Sequence, residues 1–433
     1  MANENGEQKK KRKHRLPRIF RILGPGLITG AADDDPSGIA TYSQTGAQFG
    51  YGQLWAAIFL YPFMTAVQEA CARIGAVTKK GIAQVIRENY NKKILFAAVT
   101  LILIANTVNI GADIGAMASA ARLVLPIPFV VITLLFTVLM LFLEIWIPYK
   151  TYARILKWLA ASLLVYPIVV FLVHEPWREI LSATFLPHIS FSFAFLFILV
   201  GVAGTTISPY MFFWQASEEV EEEIEHGIDK KPGVSKRFIK NMRIDNALGM
   251  FISEFITWCI IIATATVLHS AGVTNIATAS DAAKALAPLV HSFPNSGFLA
   301  ELIFAIGIVG LGLLAVPVLA GSAAYALSEA FSWHEGLYRK FRTAHGFYGV
   351  ITVATLIGLL INFVGIDPIK ALIVTAVLNG VVAVPLIALI AVISSNKKIM
   401  GEHKSGWLSK TFLWATFVLM FAAAVGMFVT LKG

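Results

Sequence analysis

Apolar stretches of roughly 20 residues recur along almost the whole chain, and each is long enough to cross a bilayer as an α-helix. Hydrophobic residues make up 57% of the 433 residues and charged residues only 14%, whereas soluble domains average about 45–50% and about 25%. This composition excludes an ordinary soluble enzyme and predicts an all-α polytopic membrane protein with about eleven transmembrane helices. The predicted spans occupy windows near residues 22–48, 53–77, 95–120, 128–148, 155–174, 191–217, 246–269, 298–328, 344–365, 369–394 and 410–431.

Lysine and arginine are distributed unevenly between the two sides of the predicted membrane protein. Of the 35 Lys and Arg residues, 30 fall in the N-terminal tail and in the even-numbered connections between spans. Because such residues stay on the cytoplasmic side, we expect a plasma-membrane protein, in a bacterial inner membrane, with its N-terminus in the cytoplasm and its C-terminus outside. The net charge of +9 therefore indicates topology, and no nucleic-acid partner is expected for the basic run at residues 9–15.

The first predicted span is interrupted by charge and by helix-breaking residues. Three consecutive aspartates near its middle are followed at once by Pro36 and, two residues later, by Gly38. Proline lacks a backbone N–H and disfavours the helical conformation of its predecessor, so we expect two half-helices, at about 20–32 and from about residue 39. Unwound backbone at membrane depth occurs where it is buried or lines a cavity, and hard cations prefer oxygen ligands. The predicted cation ligands are Asp35, Asp34, Asp33 and the backbone carbonyl near Ala32.

The sixth predicted span contains a second interruption, where glycines and a proline again lie at mid-span together with three hydroxyl side chains. Broken helices in the first and sixth positions fit two inverted five-helix repeats whose breaks face each other across a substrate site. The sequence therefore predicts that the second break completes the cation site. Its candidate ligands are the carbonyl of Gly204 and the oxygens of Thr205 and Ser208.

The two breaks also predict how the chain is organised. Six glutamates within residues 218–225 precede a basic stretch, and we expect this polar insertion to be a solvated helix extension. The predicted units are a basic cytoplasmic tail (1–19), a first repeat (20–176), a second repeat (177–395, with a cytoplasmic loop at 218–243) and an eleventh helix (396–433).

Further polar residues inside the predicted spans are candidates for an ion pathway, because such residues are costly in lipid and mark functional sites by default. Asn106, Asn109 and Asp113 share one face of the third predicted helix, at spacings of three and seven residues. Glu254 in the seventh span and Asn379 in the tenth are single candidates. None of the nine histidines falls in the middle of a predicted span.

Several motifs resemble the NRAMP family of divalent metal transporters. GPG at 24–26, DPSG at 35–38 and TGAQFGYGQLW at 45–55 are similar to the family's first span, where GPG is followed after eight residues by D-P-G-N and then AGAQFGY. The resemblance continues through QEACARIGAVTKKGIAQVI at 68–86, GTTISPYMFFWQ at 204–215 and SSNKKIMG at 394–401. It implies two pseudo-symmetric five-helix repeats and transport of metal ions by alternating access.

The chain departs from the family pattern at the implied metal ligands. Asp35 matches the family's metal-binding aspartate, but Gly38 stands at the metal-binding asparagine, and Thr205 and Ser208 stand at the alanine and methionine of the sixth span. Thioether sulfur favours soft ions, whereas carboxylate, hydroxyl and carbonyl oxygens suit magnesium, calcium and manganese. In lacking the methionine, the chain resembles the NRAMP-related magnesium transporters, and we expect a site that accepts a larger, partly hydrated ion.

The residues that the family uses for protons are also altered. Tyr210 and Gln215 align with the two histidines of the sixth span, and Asp113 alone remains of the acidic pair of the third span, near Ile110 and Asn109. We therefore expect proton coupling to be absent or to run through the aspartate cluster, since adjacent carboxylates away from water resist simultaneous ionisation.

The resulting hypothesis is a monomeric secondary transporter of divalent metal cations, with Mg²⁺ or Mn²⁺ preferred. It has no cofactor and performs no enzymatic reaction, and its partners are the transported cation and the bilayer. Two alternatives stay open: transport of a small organic solute on the same fold, and a cation sensor without flux that uses the acidic segment 218–225.

Overall fold

The computed structural model describes residues 30, 33–147, 161–173, 175–225, 227 and 233–431, and the regular secondary structure in these ranges is helical. Seven helical segments in this part of the chain are long and apolar enough to cross a membrane. The main helices are α1 (Pro36–Phe49), α2 (Trp55–Thr78), α3 (Ile82–Asn89), α4 (Lys92–Val124), α5 (Phe129–Trp146), α6 (Val165–Leu172), α7 (Trp177–Phe185), α8 (Phe193–Thr206), α9 (Pro209–Glu225), α10 (Lys236–Thr264), α11 (Ser296–Phe331), α12 (His345–Ile361), α13 (Pro368–Ser395) and α14 (Trp407–Thr430), with short helices at Ala279–Ala283, Ala287–Val290 and Lys397–Met400.

The helices agree with the predicted windows wherever those windows are described. Helices α2, α6 and α12 do not reach the length or apolarity of the seven segments, so the number of eleven spans and the inverted repeats stay predictions. The first half of the first span lies outside the described residues apart from Gly30 and Asp33, which are both helical, so the described turn consists of Asp34 and Asp35.

Helix α1 lies in the centre of the bundle, packed against α4, α8, α10 and α13. Its residues from Pro36 to Ala47 are all buried, although several of them are polar. The hydroxyls of Thr41 and Thr45 donate to the carbonyls of Ser37 and Thr41, at 2.7 and 2.8 Å. Because the helix satisfies these polar groups internally, it can lie at the core without water.

Close backbone packing fixes the second break against α13. A Cβ on Gly204 would collide with the backbone of Ala376 and Gly380, so α8 and α13 approach each other as only small residues allow. The chain leaves the helical conformation at Ile207, with φ −113° and ψ 62°, and Pro209 begins α9. The sixth span is therefore two helices with a short unwound link.

The acidic segment 218–225 differs from the expected solvated extension. It forms the end of α9, and Glu218, Glu219, Glu221 and Glu223 are all buried. The reason is that α9 packs between α2 and α11 along its length, where Glu223 pairs with Lys79 at 3.7 Å. Part of the loop behind it, at 226 and 228–232, lies outside the described residues, whereas the basic residues from Lys236 to Arg243 belong to α10.

Candidate metal site

Asp35 ends the unwound turn of the first span and caps α1. Its Oδ1 accepts hydrogen bonds from the Ser37 hydroxyl at 2.6 Å and the Gly38 backbone N–H at 2.8 Å, which is the usual arrangement of an aspartate N-cap. Its Oδ2 accepts from the side-chain amide of Asn109 on α4 at 3.0 Å. The carboxylate is 1% exposed and is held in one orientation by two helices. Oδ2 accepts one hydrogen bond and retains a lone pair for a cation, whereas Oδ1 already accepts two.

The two breaks lie directly against each other. A Cβ on Gly38 would stand 3.1 Å from Oγ1 of Thr205 and 3.2 Å from the ring of Tyr42. The Tyr42 and Thr206 hydroxyls share a hydrogen bond of 3.2 Å across the same junction. The space beside Gly38 is thus filled by Thr205 and Tyr42, and any room for a hydrated ion has to lie elsewhere around Asp35.

The hydroxyls of the second break are placed differently from each other. Oγ of Ser208, in the unwound link, donates back to the end of α8, 3.1 Å from the Gly204 carbonyl and 2.5 Å from the Thr205 carbonyl. Oγ1 of Thr205 is buried and has no hydrogen-bond partner among the described residues. The Thr205 hydroxyl is therefore available as a cation ligand at the junction. The Ser208 hydroxyl proton is already used in a hydrogen bond, so only the lone pairs of its oxygen remain available.

The polar face of α4 runs past Asp35. Asn109 bonds Asp35 through its amide nitrogen, while its Oδ1 has no partner in the described part of the chain. Asp113, one turn further along α4, is fully buried, and neither of its carboxylate oxygens has a hydrogen-bond partner there. Asn106 instead donates to the Leu319 carbonyl of α11 at 2.9 Å, which gives it a clear packing contact.

Asp33 and Asp34 face a different helix from Asp35. Oγ of Ser253 on α10 lies 3.1 Å from Oδ2 of Asp33 and 3.1 Å from Oδ1 of Asp34. Next to Ser253, Glu254 is 3% exposed and has no described hydrogen-bond partner on either carboxylate oxygen. The three aspartates therefore split into two groups, with Asp35 directed toward α4 and its neighbours toward α10.

The remaining candidates belong to α9 and α13. The Tyr210 carbonyl accepts from Ser322 at 2.7 Å, and Gln215 donates to Oε1 of Glu219 at 2.9 Å, two turns into α9. Asn379 on α13 is 1% exposed, and its amide has no hydrogen-bond partner among the described residues. It precedes Gly380, which packs on the second break beside Gly204.

The protein ligands are distributed rather than gathered into a carboxylate cage. Among the described residues, no three Asp, Glu, His or Cys side chains converge closely enough to hold a metal ion. The predicted carbonyl near Ala32 lies outside those residues. A cation at Asp35 would complete its shell with hydroxyl, amide and carbonyl oxygens and with water, as Mg²⁺ commonly does.

Sequence reasoning missed two features of this region. Ser253 was not singled out, because a serine in an apolar helix has no distinguishing pattern, yet it contacts both Asp33 and Asp34. The Tyr42–Thr206 link was missed as well. Its only sequence signal is that both residues lie within two turns of a predicted break.

Comparison with known proteins places this geometry in a family. The sequence profile described as "Natural resistance-associated macrophage protein-like" (Nramp) matches residues 26–430. A manganese transporter from Eremococcus coleocola, crystallised with an aromatic bis-isothiourea compound, has a TM-score of 0.75 and 16% identity, covering 94% of this chain and 86% of that one.

Two further solved transporters are similar at lower scores. MhsT, in complex with L-phenylalanine, has a TM-score of 0.59 and 13% identity, with 94% of this chain and 97% of that one covered. Mhp1, a nucleobase-cation-symport-1 family transporter with bound bromovinylhydantoin, has a TM-score of 0.58 and 13% identity, with coverages of 94% and 92%. At such low identities the structural similarity shows only a common fold. The family assignment rests on the profile match, which spans nearly the whole sequence. The chain is therefore a multi-pass membrane transporter, not an enzyme, and it belongs to the Nramp family, whose members transport divalent metal cations.

Proposed function

We propose that this protein carries Mg²⁺ or Mn²⁺ across the plasma membrane by alternating access, with Asp35 as the principal ligand. The observation that carries the proposal is the buried Asp35 carboxylate at the junction of the two breaks, surrounded by oxygen donors. Asp34 and Asp33 add negative charge from the same turn, and the N-terminus is cytoplasmic, as the distribution of Lys and Arg predicts.

The available donor atoms favour a hard cation. Oδ1 of Asn109, whose amide nitrogen bonds Asp35, and Oγ1 of Thr205, which lies against Gly38, are buried oxygens without a described partner. Leaving buried polar atoms unpaired is costly, and a bound cation would pair them. Ser208 supplies hydroxyl oxygen where the family pattern has methionine sulfur, which removes the ligand that favours soft ions.

The charge of the region also supports a cation. Asp33, Asp34, Asp35 and Asp113 are each at most 1% exposed, and isolated buried carboxylates are strongly disfavoured unless a cation or proton compensates them. A divalent ion compensates two negative charges at once. An anionic substrate would add to the uncompensated charge.

Transport of an organic solute on the same fold is the second candidate. It is favoured by the similarity to MhsT and Mhp1, which were crystallised with L-phenylalanine and bromovinylhydantoin. The three consecutive aspartates at the break argue against a substrate with a carboxylate. A cation sensor built on 218–225 is less well supported, because Glu221 accepts from the Leu337 N–H at 2.6 Å and Glu223 pairs with Lys79.

Ion flux into proteoliposomes tests the proposal. The purified full-length chain is reconstituted and uptake of Mg²⁺, Mn²⁺, Ca²⁺ and Cd²⁺ is followed with entrapped indicators, against empty liposomes. We expect saturable Mg²⁺ and Mn²⁺ uptake, and Cd²⁺ uptake that excess Mg²⁺ suppresses. Binding of these ions without flux would support the sensor, and uptake of an amino acid or nucleobase without metal flux would support the organic-solute alternative.

A further inference from the structure

Two polar residues on α9 form an isolated oxygen-rich pair between the second break and the far end of that helix. Gln215 and Glu219 are 0% and 2% exposed. The Gln215 Nε2 donates to Oε1 of Glu219 at 2.9 Å, which orients both side chains. The other oxygens, Oε1 of Gln215 and Oε2 of Glu219, have no hydrogen-bond partner among the described residues.

The neighbouring faces of α9 are used for packing. One face contacts α11: Ser217 donates to Oε1 of Glu329 at 3.1 Å, and the rings of Trp214 and Tyr325 meet edge to face with centroids 6.2 Å apart. A second face contacts α2, where the Ala216 carbonyl lies against Gly75. Gln215 and Glu219 bond to each other, and these packing contacts leave their other two oxygens without a hydrogen-bond partner among the described residues.

Gln215 and Glu219 lie along the helix face that leads away from Ser208 at the candidate metal site. Gln215 and Glu219 follow Ser208 by seven and eleven residues, spacings that return to the same face of an α-helix and correspond to about 10 Å and about 16 Å along its axis. Glu219 also lies within electrostatic range of Glu218, Glu222 and Asp245. A cation that leaves Ser208 along this face therefore meets an increasingly negative environment.

We propose that Gln215 and Glu219 form a second, transient subsite for the transported divalent cation, on the side predicted to be cytoplasmic. This inference rests on the proposed function and adds a named step to it. One carboxylate and one amide oxygen, buried and already oriented, suit a hydrated Mg²⁺ or Mn²⁺ ion that keeps most of its water. The subsite receives the ion after it leaves Asp35, which lowers the barrier for release into the cytoplasm.

Replacing Glu219 by glutamine tests the subsite, because Glu219→Gln removes the charge with little change in volume. Two quantities are measured on the full-length chain: the maximal rate of Mn²⁺ uptake in proteoliposomes, and equilibrium binding of Mn²⁺ alone by calorimetry. We expect the rate to fall about tenfold while the dissociation constant of the Asp35 site changes by less than about twofold. Glu219→Asp should restore part of the rate, and Gln215→Met, which removes only the amide, should lower it.

Glu223→Gln is the matched control. It removes the same charge one turn further along α9, where the carboxylate is already paired with Lys79 at 3.7 Å, and we expect its rate to stay close to that of the unmodified protein. Equal losses in Glu219→Gln and Glu223→Gln, or an unchanged rate in Glu219→Gln and Gln215→Met, would overturn the subsite. If Glu219→Gln does not fold, Gln215→Met and Glu219→Asp decide the question. Metal flux in the unmodified protein would still support the proposed function in each of these cases, whereas absence of that flux would overturn the function itself.

Discussion

The Asn109 side-chain amide donates to Oδ2 of Asp35 at 3.0 Å, across the contact between α4 and α1. The family's first-span motif has an asparagine where this chain has Gly38, so its own turn offers no amide side chain. Asn109 brings an amide to the same aspartate from another helix, and its Oδ1 has no described hydrogen-bond partner. Asn109 on α4 therefore places an amide beside the Asp35 carboxylate, although the first-span turn of this chain carries no amide of its own.

Removing this amide should weaken cation binding more than it weakens the fold. Asn109→Ala leaves Oδ2 of Asp35 without its donor and deletes a candidate ligand oxygen, so we expect the KM for Mg²⁺ uptake to rise by about tenfold. Asn106→Ala is the control, because Asn106 donates to the Leu319 carbonyl instead. We expect that variant to lose thermal stability while its KM stays unchanged. A KM for Mg²⁺ in Asn109→Ala equal to that in Asn106→Ala would show that Asn109 does not contribute to ion binding.

Ser208→Met should shift ion preference toward soft metals. Ser208 donates to carbonyls at the end of α8, so the substitution replaces a local hydrogen bond by a thioether at the position where the family pattern carries methionine. Sulfur favours Cd²⁺ over Mg²⁺. Competition between the two ions in an uptake assay measures the shift, with Ser208→Ala as the control for loss of the hydroxyl. Strong Cd²⁺ uptake by the unmodified protein that Mg²⁺ fails to inhibit would contradict the assignment.

Cation uptake should either be electrogenic without proton cotransport or be coupled to protons through the aspartate cluster, because no histidine lies in the middle of a predicted span to titrate near neutral pH. Vesicles loaded with pyranine report internal acidification, and a potential-sensitive dye reports net charge. Acidification that disappears in Asp34→Asn or Asp33→Asn would assign coupling to the aspartate cluster. Acidification that persists after Asp33, Asp34 and Asp113 are neutralised in turn would contradict both pathways.

Glu335, in the loop between α11 and α12, should make the fold sensitive to pH. Its burial, together with the nearby Glu329 carboxylate, raises its pKa from 4.5 to about 9, against the opposing effect of Arg87. Between these two values the folded state binds more protons than the unfolded state, so this contribution to stability is fully present below the lower value and is lost as pH rises toward the upper one.

We therefore expect the unfolding temperature to fall between about pH 6 and about pH 9, and Glu335→Gln to reduce that slope. Intrinsic fluorescence during heating in detergent measures both proteins. Glu88→Gln is the control, since Lys80 lowers the pKa of Glu88 instead. An identical pH slope in Glu335→Gln and the unmodified protein would contradict the prediction.

The broken helices were predictable because proline and glycine act through the local backbone. Pro36 fixes the start of α1 one residue after Asp35, and Pro209 starts α9 after the unwound link. The same local chemistry predicted that Asp35 lies at the break, whatever the rest of the fold does.

Contacts between helices could not be predicted in the same way. The sequence placed Asp33, Asp34 and Asp35 in one cluster, but the turn directs Asp35 to Asn109 and its two neighbours to Ser253. The expectation of a solvated segment at 218–225 was wrong, because four of its glutamates, Glu218, Glu219, Glu221 and Glu223, become buried when α9 packs between α2 and α11. Helix orientation and tertiary packing decide both outcomes, and neither is encoded in residue spacing alone.

Substitution of Asp35 by asparagine and by alanine tests the central claim most directly. Asparagine caps a helix about as well as aspartate, so Asp35→Asn keeps the start of α1 and removes only the charge, whereas Asp35→Ala removes both. Initial Mg²⁺ uptake is measured in proteoliposomes that contain equal amounts of monodisperse protein, with Glu88→Gln, an exposed residue of α3, as the control. The account predicts full uptake in the control and no measurable uptake in either Asp35 variant, while uptake by Asp35→Asn at the rate of the unmodified protein would show that the carboxylate does not bind the transported ion.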